Sequence, residues 1–242
     1  VTVANPKLSH MRIEPVGERC LLIRLGDGVS LETNQLVHAV TALLEAHPLP
    51  GVVEVVPAFN SVAVHFDPMA YAAGRGLPTA QLTRQLEQAL KRDLSALSGE
   101  GRLVEVPACY GGEFGPDLEE VAGHCGLSVE ETIALHSGTP LTLYVFFFAP
   151  GNPFSGPLDP RLSIGRRSSP RTRVETGSVA IANGLSAIYA ATSPGGWNVI
   201  ARTPWRMFDV NNDPPARLRL GDRLKFKPIT REEYDQLLET RP

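Results

Sequence analysis

Val52-Val-Glu-Val-Val56, the link Pro57-Ala-Phe-Asn60 and Ser61-Val-Ala-Val-His-Phe66 carry the fold of the first half of the chain. Both runs are rich in β-branched residues, and the link is hairpin-sized, so they read as paired strands. Asp67-Pro68 stops the second strand. Working back, Ser30 stands where an N-cap is needed, and Leu36, Val37, Val40, Leu43 and Leu44 follow at helical spacing, with Pro48 beyond. Before that helix, residues 20–25 form a short apolar run ending in Gly26-Asp27-Gly28, a strand and its turn. Working forward, Pro78-Thr79 opens a second helix with Leu82, Leu86, Leu90 and Leu94 along one face, and residues 103–107 are again strand-like. Strand, helix, strand, strand, helix, strand is the split βαβ pattern of ferredoxin-like domains, with both helices on one face of an antiparallel sheet. The last strand has a second reading, as the opening strand of the next domain.

Past Pro107 the texture changes. Residues 117–125 predict a short helix stopped by Gly126, and Ser128 with Glu131 forms an S-x-x-E capping box for another, running to about His136. From Leu141 onward there is no long helical period. Residues 141–148, 178–182, 187–190, 197–201 and 223–229 are strand-like and separated by Gly and Pro, which suggests a closed barrel or a sandwich. Thr230 and Glu233 cap a last helix. The expected class is α+β in two domains, residues 11–100 and 103–232, bordered by the small, polar stretch 95–101.

With 242 residues, 43% hydrophobic and 20% charged, the chain has a globular composition. A net charge of −3 argues against a general nucleic-acid binder, so any anion recognition must come from a local cluster. No apolar stretch is long enough to cross a bilayer, and residues 1–9 read as a loose tail without a signal-peptide pattern. The three cysteines are scattered without a CxxC pair, which predicts reduced thiols and a cytoplasmic protein. The six histidines are equally scattered, and no metal site is expected. The phosphate loop, the G-x-S-x-G elbow and the H-E-x-x-H helix are all missing.

One segment stands out. Between Pro160 and Val174 lie Arg161, Arg166, Arg167, Arg171 and Arg173, with no acidic residue among them. Guanidinium forks bind carboxylates and phosphates, so this loop is a candidate anion site; the alternative is a basic surface paired with Asp159, Glu175 and other carboxylates. Ser193-Pro-Gly195-Gly196-Trp197, followed by Arg202, is the second candidate. Its glycines allow close approach to backbone N–H groups and Trp197 offers a flat wall, the alternative being a tight turn with a core tryptophan. In Tyr110-Gly-Gly-Glu-Phe-Gly115, Glu113 is a candidate general base and otherwise an exposed turn carboxylate. His136, at a helix end, is a candidate acid–base group and otherwise a cap for the last carbonyls.

Taken in order, Val106-Pro-Ala-Cys-Tyr-Gly-Gly-Glu-Phe-Gly-Pro-Asp-Leu118, Leu135-His-Ser137, Leu158-Asp-Pro-Arg-Leu162, the Arg166-Arg167 and Pro170-Arg171 pairs, Gly177-Ser-Val179, Ser193-Pro-Gly-Gly-Trp197 and Arg202-Thr-Pro204 resemble one family. It is the bacterial 5-oxoprolinase B-subunit family, also called allophanate hydrolase subunit 1 or the sporulation kinase inhibitor type. The resemblance reaches into the first half through Val53-Glu-Val-Val-Pro-Ala58 and covers residues 12–229. It implies a ferredoxin-like domain followed by a cyclophilin-like β-barrel.

It also implies two partner proteins, a homologous C subunit plus an A subunit, with which 5-oxoproline is cleaved to glutamate at the expense of ATP. The substrate class is a small amide or lactam, whose carboxylate or phosphorylated amide oxygen the arginines and backbone donors would hold. Two other activities in the family's orbit are regulation of a histidine kinase and the carboxyltransferase half of a biotin-dependent urea carboxylase. The sequence departs from the family pattern at Asn152, where an aromatic is usual, at Pro157, at Gly165, and over residues 185–187. These changes reshape the loops around the expected ligand.

Overall fold

The computed structural model describes residues 11–74, 76–92, 94 and 101–240. The expected tail at 1–9 and all of the expected border at 95–101 except Gly101 lie outside them. The chain divides into two compact units, residues 1–100 and 101–242.

The first unit runs β1 (Arg12–Pro15), β2 (Cys20–Arg24), α1 (Leu31–Ala46), β3 (Val52–Pro57), β4 (Ser61–Phe66), a short 3-10 turn (Pro68–Tyr71) and α2 (Pro78–Ala89). Its antiparallel sheet has the order β1-β2-β4-β3. Alternate residues of the two central strands, Leu21 and Ile23 with Val62, Val64 and Phe66, are at most 2% exposed and meet Val37, Val40 and Leu43 of α1 and Leu82 and Leu86 of α2. Ser30 caps α1 by accepting from the Thr33 N–H at 3.1 Å. Leu94, expected on the face of α2, lies beyond its end yet is buried.

Residues 103–107 do not complete this sheet. The edge beside β2 is taken by β1, in antiparallel register from Arg12↔Arg24 to Pro15↔Leu21. The segment escapes sequence reading because an edge strand need bury little: Arg-Ile-Glu-Pro has one strongly apolar residue, and proline is tolerated where no neighbour needs its N–H.

The second unit runs β5 (Leu103–Tyr110), α3 (Leu118–Cys125), α4 (Val129–Gly138), β6 (Leu141–Phe146), β7 (Pro153–Gly156), β8 (Arg171–Val174), β9 (Ser178–Ala182), β10 (Leu185–Ile188), β11 (Ser193–Gly195), β12 (Asn198–Arg202), β13 (Arg223–Pro228) and α5 (Arg231–Glu239). Seven strands close into a barrel in the order β10-β7-β6-β13-β5-β12-β9, while β8 and β11 form a separate two-stranded ribbon. The core holds Val106, Leu141, Leu143, Val179, Ile181, Ile188, Ile200, Leu224 and Phe226, all at most 2% exposed. Each such side chain contributes roughly 1.5–3 kcal/mol by leaving water. The barrel closes through a parallel pair, with β13 lying beside β5 from Arg223↔Leu103 to Pro228↔Ala108.

Local signals set the helix ends. Gly126, at φ 67°, stops α3 in the left-handed region. Both expected capping boxes form: Ser128 with Glu131 on α4, and Thr230 with Glu233 on α5.

Candidate functional site

The arginine-rich loop is organised by Asp117, just before α3. Its side chain makes no cap to its own helix. Instead, 2% exposed, it accepts from Arg167 Nη1 at 2.7 Å, from Arg171 Nη1 and Nη2 at 2.7 and 2.6 Å, and from the Val199 N–H at 2.7 Å. Asp117 is missing from the sequence candidates because its partners are remote in sequence. Its one signal there is indirect: five arginines with no acid among them need counter-charge from elsewhere.

Arg167 and Arg171 are therefore occupied, as the paired-surface alternative anticipated, and are positioned rather than free. Arg161 is exposed and closes a two-pronged pair on its own neighbour Asp159, at 3.0 and 2.9 Å, which holds that carboxyl down at about 2. Arg173 pairs in the same way with Glu175. Arg166 has no carboxylate partner among the described residues.

The ribbon joins the two sequence candidates. In the β8–β11 pairing Gly195 lies opposite Arg171 and Ser193 opposite Val174, and the Arg167 N–H donates to Gly196 O at 2.8 Å. Ser193–Gly195 is thus a strand rather than a bare turn, and Trp197 is buried behind it. Arg166, Ser193 and Gly195 share the rim of a small cleft with Phe148, Tyr189 and Trp197, with a volume of about 40 Å³. Phe154 forms its wall, edge-to-face with Trp197 at 5.2 Å.

Tyr189 is the second residue that sequence reading misses. Burial pushes its titration up, with the Trp197 backbone and the Arg166 and Arg171 charges pulling the other way. No described residue takes the hydroxyl proton, which leaves Tyr189 a donor beside an unpaired guanidinium. Gly195 permits this: a Cβ there would come within 2.1 Å of the tyrosine oxygen. At the mouth, Phe148 is 82% exposed at φ 74°, a conformation unusual for a bulky residue. Asn152 clamps that loop, donating to Phe147 O and accepting from the Ala190 N–H, both at 3.0 Å. The departure from an aromatic at this position thus supplies a hydrogen-bonded staple.

Three sequence candidates lie elsewhere. Glu113 is exposed and pairs with Arg231. Arg202 stacks over Phe114, its guanidinium carbon 4.9 Å from the ring centre. His136 is wholly buried within α4 rather than capping it: Tyr110 Oη is 2.7 Å from Nδ1, Ser186 Oγ is 2.9 Å from Nε2, and Phe226 packs against the ring. Each ring nitrogen has a hydroxyl partner, which suits a neutral imidazole. Glu113 and His136 therefore share no partner and do not converge as an acid–base pair.

Burial lowers the His136 pKa from 6.5 to about 3. Between those values the unfolded chain binds the proton and the folded chain does not, so His136 makes stability fall as pH falls, by at most about 1.4 kcal/mol per pH unit. Its contribution is complete above pH 6.5. The expected result is that His136→Gln lowers stability at pH 7 but flattens its slope between pH 6.5 and 4.5, measured by denaturant melts. Identical slopes in the two proteins would show that His136 is not the titrating group.

The comparisons with known proteins bear on this geometry. A family model described as "Carboxyltransferase domain, subdomain C and D" matches residues 11–218. The 5-oxoprolinase B subunit of Bacillus subtilis (strain 168) is 39% identical over 229 residues, covering 92% of this chain and 95% of the relative. The chain belongs to the 5-oxoprolinase B-subunit family. The counterpart of the same name from Escherichia coli O157:H7 is 35% identical over 222 residues, covering 91% of this chain and 97% of that protein. Among solved structures, TTHA0988 superimposes with a TM-score of 0.73 at 35% identity over 87% of this chain. The match spans only 40% of the TTHA0988 chain. In this chain Arg167 and Arg171 are paired with Asp117, and Arg166 lines the cleft. Among the described residues no three His, Cys, Asp or Glu side chains group as a metal-ligand set, and no helix is long and apolar enough to cross a membrane.

Proposed function

We propose that this chain is the B subunit of an ATP-dependent complex that opens a small cyclic amide, 5-oxoproline, to glutamate together with the A and C subunits. The observation that carries the proposal is the cleft. Arg166 offers an uncompensated guanidinium for the substrate carboxylate, and Tyr189 offers a hydroxyl proton to the lactam oxygen. The ribbon holds both groups in place through Gly195 and the Arg171–Asp117 pair.

At about 40 Å³ the cleft holds about three waters, so a lactam ring enters only when the Phe148 rim moves or a partner protein reshapes it. This supports assigning turnover to the assembled complex, with ATP as co-substrate of that complex. A second reading follows from the carboxyltransferase description of the matched family: the same cleft would receive an amide such as urea for carboxylation.

The test is to purify the chain with its cognate A and C partners and follow 5-oxoproline-dependent release of ADP and glutamate. Turnover requiring all three is the expected result. A stable complex that leaves 5-oxoproline untouched but carboxylates urea from carboxybiotin would replace this reading with the second.

A further inference from the structure

The first unit carries a groove of about 630 Å³ along α2, well within the size range of small-molecule sites. Arg84, Lys91 and Arg92 line it, with Leu49 and Ala89 as its apolar part, and no acidic residue among the described ones contributes. Arg84 and Arg92 have no carboxylate partner among the described residues, and Lys91 reaches only the neutral amide of Gln88, at 3.4 Å. Lys91 and Arg92 follow the C-cap of α2, where the helix dipole favours positive charge. Arg84 lies in the middle of the helix, out of reach of that effect, so helix stabilisation does not explain the set. Nor is the wall loose. Gln81 donates to Tyr71 O at 3.1 Å and to Gly76 O at 3.0 Å, and it packs so tightly that a Cβ on Gly74 would fall 1.8 Å from its oxygen.

Three cations without a carboxylate partner among the described residues surround one concavity, in a chain whose net charge is −3, and form a local site for an anion of several charges. A single carboxylate would satisfy only one of them. We infer that this groove binds a small molecule bearing a di- or triphosphate chain, with Arg84, Lys91 and Arg92 on the phosphates and Leu49 and Ala89 available to an attached apolar ring. The inference rests on the groove alone and is independent of the lactam reading of the barrel cleft.

Isothermal titration of the full chain at low salt, with inorganic tripolyphosphate and separately with ATP, tests it without requiring turnover. Saturable binding is expected, weakened at least tenfold in Arg84→Gln/Arg92→Gln. A charge-matched control, Arg12→Gln/Arg206→Gln, removes two exposed arginines paired with Asp27 and Asp209 and should bind as the wild type does. Tighter binding of ATP than of tripolyphosphate would support an attached ring, and equal binding would support recognition of the phosphate chain alone. Absence of saturable binding, or equal weakening in both double variants, would overturn the site, the latter by reducing it to general charge attraction.

Discussion

Asp117→Ala is expected to destabilise the barrel unit by about 3 kcal/mol, the low end of the range for breaking a buried ion pair. The carboxylate is 2% exposed and serves two guanidiniums and the Val199 N–H, so alanine strands all three at once. The low end applies because the arginine side chains are 24% and 28% exposed and can recruit water. Both tryptophans, Trp197 and Trp205, lie in the barrel unit, so their fluorescence during urea unfolding reports on it. The ribbon should loosen as well, because β8 is tied to the α3 end of the barrel through Arg171. Pairing Asp117→Ala with Arg171→Ala should cost less than the sum of the single changes, since the second change removes a charge the first has orphaned. A single-variant loss below about 1 kcal/mol would mean that the arginines find other partners, and Asp117 would lose its organising role.

Arg166→Gln is expected to cut 5-oxoproline-dependent turnover of the assembled complex by about 10- to 100-fold, the worth of a hydrogen bond to a charged group. Stability should barely change, because Arg166 is exposed and neutralises no carboxylate. Arg161→Gln is the contrast: its guanidinium is engaged by Asp159 on the open surface, and turnover should be retained. The loss should fall mainly on kcat/KM with 5-oxoproline, where a carboxylate anchor acts. Equal activity in both variants, with the complex intact, would remove Arg166 from the site.

The sequence revealed what depends on neighbours and hid what depends on distance. Ser30, Ser128, Thr230 and Gly126 act on N–H and C=O groups within a few residues, and each helix end they mark is observed. The five longest barrel strands were visible as β-rich runs, whereas Pro153–Gly156, Arg171–Val174 and Ser193–Gly195 are short, and proline, glycine or arginine dominates them. Residues 103–107 show why ownership of a strand is harder to read than its existence. The alternation is the same whichever sheet receives it, and only the pairing with β12 and β13 decides. The site followed the same division. The arginines and the Ser-Pro-Gly-Gly-Trp turn were legible as residue types, but their pairing with Asp117, 50 and 54 residues away, and with Tyr189 was not.

The parallel closure of the barrel has a consequence for how the chain is made. Arg223 must pair with Leu103, and Arg102 with Asp222 across 120 residues, so the seam joins nearly the first and last segments of the unit. During synthesis β5 emerges early and waits, with an open edge, for β13. Pairing of such high sequence separation is slow, and it leaves no partial barrel to fall back on. A chain ending before residue 223 would therefore carry an unclosed, aggregation-prone sheet, and the arrival of β13 is the step that lets the barrel close.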